Sequence, residues 1–289
     1  MSLLDVTNKF PWREIRDVTV DGEEMVFIPK IYVKNTTIGG NPAWFICGTP
    51  KQGYHLHPAF IDIDSTESTE AEHGILIGKY RTSGSENNLH SVSDGTLFSH
   101  VLRNMNTYID AKNVTGGTAE QTGWHLYNIF EHHLILRLAL IENGPSIFTS
   151  SSNFSYLGIQ YYKKNIGYEW IEGIGIFYNV LVPKQCCLAI KTKGAWHGFD
   201  NCSFGSSGYI NTVYNDIGDD YDLGDIFIGK TFTNTESKSL FKLNSYHDTA
   251  YISATSAGNY LGSATIGFGM CLYITTNSYN YYGRIAKFC

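Results

Sequence analysis

From residue 145 to the end the chain sustains no helical period, so that half must be built from strands and loops. Its short apolar runs are broken every few residues by Gly, Asn and Ser, which favour turns. The first half differs. Val18-Thr19-Val20 leads into Asp21-Gly22, a dipeptide suited to a two-residue hairpin turn, and the chain leaves through Met25-Val26-Phe27-Ile28. A hairpin is expected over residues 18–33. Further strands are expected at 43–47, 55–63 and 75–80. The acidic stretch 64–72 between the last two reads as an exposed, mobile loop.

Two segments have a helical period. Leu97, Val101, Met105 and Tyr108 predict a helix over 94–111, with Ser93 or Asp94 as its cap. Ile129, Leu134, Leu138 and Ile141 predict a second from about 128 to 143, stopped by Asn143-Gly144-Pro145. Strands, two helices and then a long irregular β region define an α+β chain, not an alternating βαβ one. No internal repeat is visible, which sets aside solenoids and propellers.

Composition narrows the function classes. With 43% hydrophobic and 17% charged residues, the chain is globular, and 289 residues bury one large core or two modest ones. A net charge of -6 without a Lys/Arg cluster argues against nucleic-acid binding, which needs concentrated positive charge. No apolar run reaches the length of a membrane span, so no membrane insertion is expected. Met1-Ser2-Leu3-Leu4-Asp5 has none of the parts of a secretory leader. Cys47, Cys186, Cys187, Cys202, Cys271 and Cys289 show no CxxC spacing. They read as reduced, mostly buried thiols, and no zinc site is expected.

The C-terminal tract carries the binding chemistry. Asn259, Tyr260, Tyr273, Asn277, Tyr279, Asn280, Tyr281 and Tyr282 fall among Gly spacers. Tyr gives a wide contact area with few rotors, and Asn gives adaptable hydrogen bonds, as in a paratope. The competing reading makes some of these tyrosines strand and core residues, since alternate side chains of a strand point inward. Trp196 and Phe199, in the Gly-flanked segment Trp196-His197-Gly198-Phe199-Asp200-Asn201, form a second candidate contact, against a loop Trp packed on its own domain.

Other clusters read more weakly. His55 and His57 on one strand would share a face, and His125, His132 and His133 could join them around a metal, but no suitably spaced acidic partner accompanies them. Buried hydrogen-bonded histidine is the commoner outcome, and no metal ligand is assigned. Asn215-Asp216-Ile217-Gly218-Asp219-Asp220-Tyr221-Asp222 could take Ca²⁺ but lacks the EF-hand pattern, so a solvated acidic turn is the default and no cofactor is expected. Cys271 and Cys289 lack a reactive setting and no Gly-x-Ser-x-Gly elbow occurs; Glu169 and Glu172, near Trp170, are conceivable glycosidase carboxylates, but a spacing of three in sequence says little about the separation such a pair needs. No catalytic residue is assigned.

Several segments in order resemble phage and prophage tail proteins with a C-type-lectin-like fold. They are residues 25–33, Gly53-Tyr54-His55-Leu56-His57-Pro58-Ala59-Phe60, Ile75-Leu76-Ile77-Gly78-Lys79-Tyr80, Arg103 to Ile109 followed by Gly123-Trp124-His125-Leu126 and the helix ending Leu140-Ile141-Glu142-Asn143, Tyr168-Glu169-Trp170-Ile171-Glu172-Gly173-Ile174, and Gly262 through Gly267-Phe268-Gly269 to Gly283-Arg284-Ile285. The fold is shared by formylglycine-generating-type enzymes and by the variable proteins of diversity-generating retroelements. The resemblance implies a receptor-binding adhesin of the virion, at a tail tip or fibre. It would be made in the host cytoplasm and attach non-covalently to a host-surface glycan or protein. It also implies other tail proteins as partners, a homotrimer, and a ligand surface on the C-terminal segment. Residues 1–17 would be a tether and 18–289 the receptor-binding domain. An oxidase or polysaccharide depolymerase on the same fold, and a structural tail or baseplate component, are the alternatives.

Overall fold

The computed structural model describes residues 5–39, 41–86, 88–100, 109, 123–143, 154–162, 169–178, 185–198, 202–203, 252–256, 270–274 and 281–289. Asp21 and Gly22 have φ of 54° and 85°, the two left-handed positions a tight hairpin needs, and Val20 pairs with Glu23 across them. The hairpin joins Arg16–Val20 to Glu23–Pro29. It closes at Pro29, and the chain from Tyr32 enters a different sheet. Glu23–Pro29 pairs on its other side with Gly74–Gly78, every residue of which is buried. An unbroken apolar run of this kind marks a strand covered on both faces. Gly74 is required there, because a Cβ would come 2.2 Å from the Ile28 carbonyl oxygen.

The sheet is completed by the other end of the chain. Ile285–Phe288 lies antiparallel between Gly74–Gly78 and Trp124–Leu126. The five strands therefore run in the order Arg16–Val20, Glu23–Pro29, Gly74–Gly78, Ile285–Phe288, Trp124–Leu126. Met25, Leu76, Leu89, Ile109, Trp124, Leu126 and Ile285 cluster as one core, with Phe27 packed against it. Val26, Ile28, Ile75 and Ile77 alternate with them and are equally buried. Each such side chain contributes roughly 1.5–3 kcal/mol when fully buried.

One α-helix of described extent, Ile129–Asn143, follows the last-placed strand. Its start is fixed by a reciprocal cap. Asn128 Oδ1 accepts from the Phe130 and Glu131 N–H groups, and Glu131 Oε2 accepts from the Asn128 N–H at 2.8 Å. Ile129 through Leu136, with Leu138 and Ala139, are buried, so the helix is enclosed instead of amphipathic. It packs on a 3-10 turn, Pro58–Phe60, which also touches Gly74–Gly78.

Further sheets, chiefly antiparallel, lie among the described residues. Tyr32–Ile38 pairs with Asn41–Cys47 and His55–Leu56. Met270–Ile274, Ile252–Ser256, Glu169–Ile171, Tyr281–Tyr282 and Ser99–His100 form a second five-stranded sheet, whose Glu169–Tyr282 pairing is parallel. Gln185–Thr192 pairs with Ile174–Tyr178, Ala195–Gly198 and Cys202–Ser203. The chain is thus α+β, chiefly antiparallel β-sheet.

Three local expectations are corrected. The strand expected over 55–63 stops at Leu56, because Pro58 has no N–H for a ladder and instead opens the 3-10 turn, with His57 as its cap. The helix expected over 94–111 does not begin at 94. Phe98 N–H bonds to Thr82 O, Leu97 bridges Ser83, and Ser99–His100 is a strand. Ile109 is helical, and 101–108 lie outside the described residues. Strand pairing with distant segments outweighs the local period there. The acidic loop 64–72 is mostly exposed as expected, but it is tied by Asp62 N–H to Thr69 O and by Ser65 Oγ to Thr69 Oγ1. Residues 5–17 lie against the same body. Val6 is buried, Trp12 Nε1 donates to the Tyr156 hydroxyl at 3.0 Å, and Arg16 and Asp17 are already in the first strand.

Candidate functional site

The described end of the Tyr/Asn tract enters a clamp. Gly283 and Arg284 follow the strand Tyr281–Tyr282 directly and are both buried. Thr82 N–H donates to Gly283 O, Gly283 N–H donates to Thr82 Oγ1, and Tyr127 N–H donates to Arg284 O. The Arg284 guanidinium donates through Nη1 to Gly78 O at 2.6 Å and through Nη2 to Gln160 O at 2.5 Å. Its Cζ lies 6.0 Å from the Tyr127 ring centroid. One arginine thus ties a central strand, a neighbouring hairpin and Tyr127, two residues before the helix, to the end of the tract.

The sequence-predicted residues fall as follows. Tyr281 pairs with His100 and Tyr282 with Ser99. Tyr282 is half-buried, with Arg81 6.0 Å from its ring. Tyr273 sits in the strand Met270–Ile274 opposite Ser253, and Trp196 in Ala195–Gly198 opposite Lys191. Asn259, Tyr260, Asn277, Tyr279, Asn280 and Phe199 lie outside the described residues, as does the acidic stretch 215–222. Tyr273 and Tyr282 share one sheet, and Trp196 belongs to another.

His125, His57 and His133 fall into two arrangements, while His132 Nδ1 lies 3.3 Å from the Tyr127 hydroxyl. His125 donates from Nδ1 to Gly123 O at 2.9 Å and from Nε2 to Glu131 Oε1 at 2.8 Å, and it stacks on Phe288. A ring that donates from both nitrogens is an imidazolium. Burial pulls its pKa down, but the charge and hydrogen bond of Glu131 and the Gly123 carbonyl outweigh that, and the net shift is upward. The same carboxylate therefore caps the helix with one oxygen and holds His125 with the other.

His57 and His133 make the second arrangement. Their rings stack at 5.2 Å, with His57 Nε2 3.0 Å from His133 Nδ1. His57 Nδ1 accepts the Ala59 N–H at 3.1 Å. Arg137, one helical turn beyond His133, brings Nε to 3.2 Å from His133 Nε2. Trp44 stands edge-on to both imidazoles, and Arg137 Cζ lies 5.9 Å from its ring centroid. Burial, then the charges of His55 and Arg137, lower the His57 pKa to about 3, so the ring is neutral. A neutral His57 that accepts at Nδ1 keeps its proton on Nε2 and has no lone pair there for a metal. Among the described residues no group of three or more His, Cys, Asp and Glu is placed to hold a metal ion.

Sequence reasoning singled out His57 and His133 as metal candidates but missed Trp44 and Arg137. The i, i+4 spacing of His133 and Arg137 on a predicted helix was the available signal. Elsewhere, Glu172 is buried, with its backbone bonded to Tyr127 and Ile129, and Cys289 is half-buried, its thiol pKa raised by burial. Cys47 is also half-buried and free.

No protein-family model matches the chain, and a search of curated proteins finds no match.

Proposed function

We propose that the chain is a receptor-binding protein of a phage tail, an adhesin on a C-type-lectin-like fold that attaches non-covalently to a host-surface glycan or protein. The observation that carries this reading is the clamp at Gly283–Arg284. The Tyr/Asn tract ends at a guanidinium that is fully buried and bonded to two separate backbone segments. Side chains displayed from so fixed a base lose little conformational freedom on binding, and Tyr and Asn then supply area and hydrogen bonds. A homotrimer on the tail tip would multiply a weak single contact into firm attachment.

Adsorption of the purified chain to host cells tests the reading. Tyr279→Ala with Tyr281→Ala is expected to abolish adsorption and shift the melting temperature by no more than a few degrees. A double variant that still adsorbs, or that melts far lower, rejects the tract as a contact surface. Tyr282 is left out of the pair because its half-buried ring beside Arg81 gives it a share in the fold.

A further inference from the structure

Asn41–Cys47 is an outer strand of its sheet, and the hydrogen-bonding phase of its free edge follows from its neighbours. His57 N–H donates to Ile31 O, and Val33 stands opposite His55. Successive residues of a strand turn their backbone groups to opposite sides. With Ile31 and Val33 turned towards His55–Leu56, the residues Tyr32, Lys34, Thr36 and Ile38 turn towards Asn41–Cys47. There they meet Cys47, Phe45, Ala43 and Asn41. Pro42, Trp44 and Ile46 therefore turn their backbone groups outward. Among the described residues no strand pairs with that side. Proline is tolerated at such a position, where no partner strand within the chain needs its N–H.

Native edges are commonly blunted with charge, because an uncharged edge is a template for another strand. From Asn35 to Pro50 there is no Asp, Glu, Lys, Arg or His. The same hairpin holds Ile38 and Phe45, 58% and 41% exposed, the exposed large hydrophobics among the described residues. Trp44 and Ile46 are each half-buried. We infer that this edge pairs with the same edge of a second copy of the chain, antiparallel about a twofold axis at Phe45. Trp44 then stands opposite Ile46 of the second copy, and each gives an N–H and a carbonyl to the new ladder. Phe45 meets Phe45 directly, as an aromatic cross-strand pair. Pro42, which has no N–H to give, falls past the end of the second copy's strand. Charge favours a second copy over another partner. The chain carries -6 overall and would attract a basic protein, but this edge has no carboxylate to offer one. Two copies of a neutral edge meet without repulsion. Lys34 is opposite Phe45 on the inner strand. Its counterpart would be three strand spacings off, about 14 Å, beyond the Debye length of about 8 Å. The edge is about 24 Å long and about 10 Å deep, a few hundred Å² against roughly 800 Å² per partner in a standard interface. The pairing is therefore reversible and concentration-dependent. It joins copies two by two and does not depend on the Tyr/Asn tract.

Sedimentation equilibrium of the full chain against concentration tests the inference. The molar mass is expected to double reversibly as concentration rises. Phe45→Lys and Phe45→Glu each set like charges face to face, and each is expected to abolish that doubling. A trimer built through some other face would double to paired trimers, so the loss of doubling still reads this edge. Mixed one to one, the Lys and Glu variants are expected to pair again, because residue 45 of one copy faces residue 45 of the other. Recovery on mixing also shows that both variants are folded. Phe45→Thr suits a strand but cannot stack, and it is expected to weaken pairing about tenfold or more. It serves should a charge at this position disturb the fold. The inference is overturned if the wild-type mass never doubles, which would leave the edge to a different protein. It is also overturned if all three variants pair as the wild type does, or if the Lys and Glu variants melt like the wild type yet do not pair when mixed.

Discussion

Arg284 is fully buried, and its guanidinium donates to the carbonyls of Gly78 and Gln160. A hydrogen bond to a charged group is worth about 1.5–3 kcal/mol, so the two together contribute about 3–6 kcal/mol. Arg284→Leu strands both carbonyls, and urea unfolding is expected to show a loss of that order. A loss below about 1 kcal/mol would place the stability of the clamp elsewhere. The sequence shows an arginine after a glycine near the C-terminus but not its acceptors, which lie 206 and 124 residues away. His125 was visible only as one histidine among several. Its role comes from Glu131, which a cap pattern beginning at Asn128 does predict.

Two histidines also set opposite pH slopes. His125 has a raised pKa, so its stabilisation is complete below the ordinary value near 6.5 and is lost as pH climbs through the folded value. His57 has a lowered pKa, so the unfolded chain takes up a proton first, and stability falls as pH drops from about 6.5 towards 3. Each slope is at most about 1.4 kcal/mol per pH unit. Urea midpoints measured against pH are expected to fall on both sides of about pH 6.5. His125→Gln is expected to flatten the alkaline side alone; an unchanged alkaline slope would reject the imidazolium.

At the scale of elements, what the sequence disclosed depended on how local the cause was. The hairpin turn at Asp21-Gly22 and the helix ending at Asn143 are set by neighbouring residues, and both lie where the pattern placed them. Ser99–His100 was hidden because its partner, Tyr281–Tyr282, comes far later in the chain and overrides the helical spacing begun at Leu97. Pro58 falls inside the strand expected over 55–63, but its missing N–H ends the ladder and opens the 3-10 turn. The helix is the element to challenge by mutation. Leu138 is fully buried, and Leu138→Ala is expected to cost about 2–5 kcal/mol in denaturant unfolding. A neutral result would mean that this helix face does not enclose the core.

At the scale of the whole molecule, the central sheet gathers strands from both ends and the middle of the sequence. Ile285–Phe288 fills the gap between Gly74–Gly78 and Trp124–Leu126, and Cys289 O then accepts from the His73 and Gly74 N–H groups. No local pattern announces such a closure, because its cost is the entropy of bringing distant segments together and its return appears only once the sheet exists. The two flanking strands depend on this insertion for their ladders, and buried backbone groups left without one are expensive. Ala286 sits at the centre, paired with Ile77 on one side and His125 on the other, and is fully buried. Ala286→Pro removes a ladder N–H and forces a ring into an enclosed strand. The variant is expected to lose the single cooperative thermal transition and to bind a hydrophobic dye at room temperature. A chain that still melts in one sharp step with Pro at this position would mean that the sheet holds without its last strand, and the tract before Gly283 would lose its fixed base.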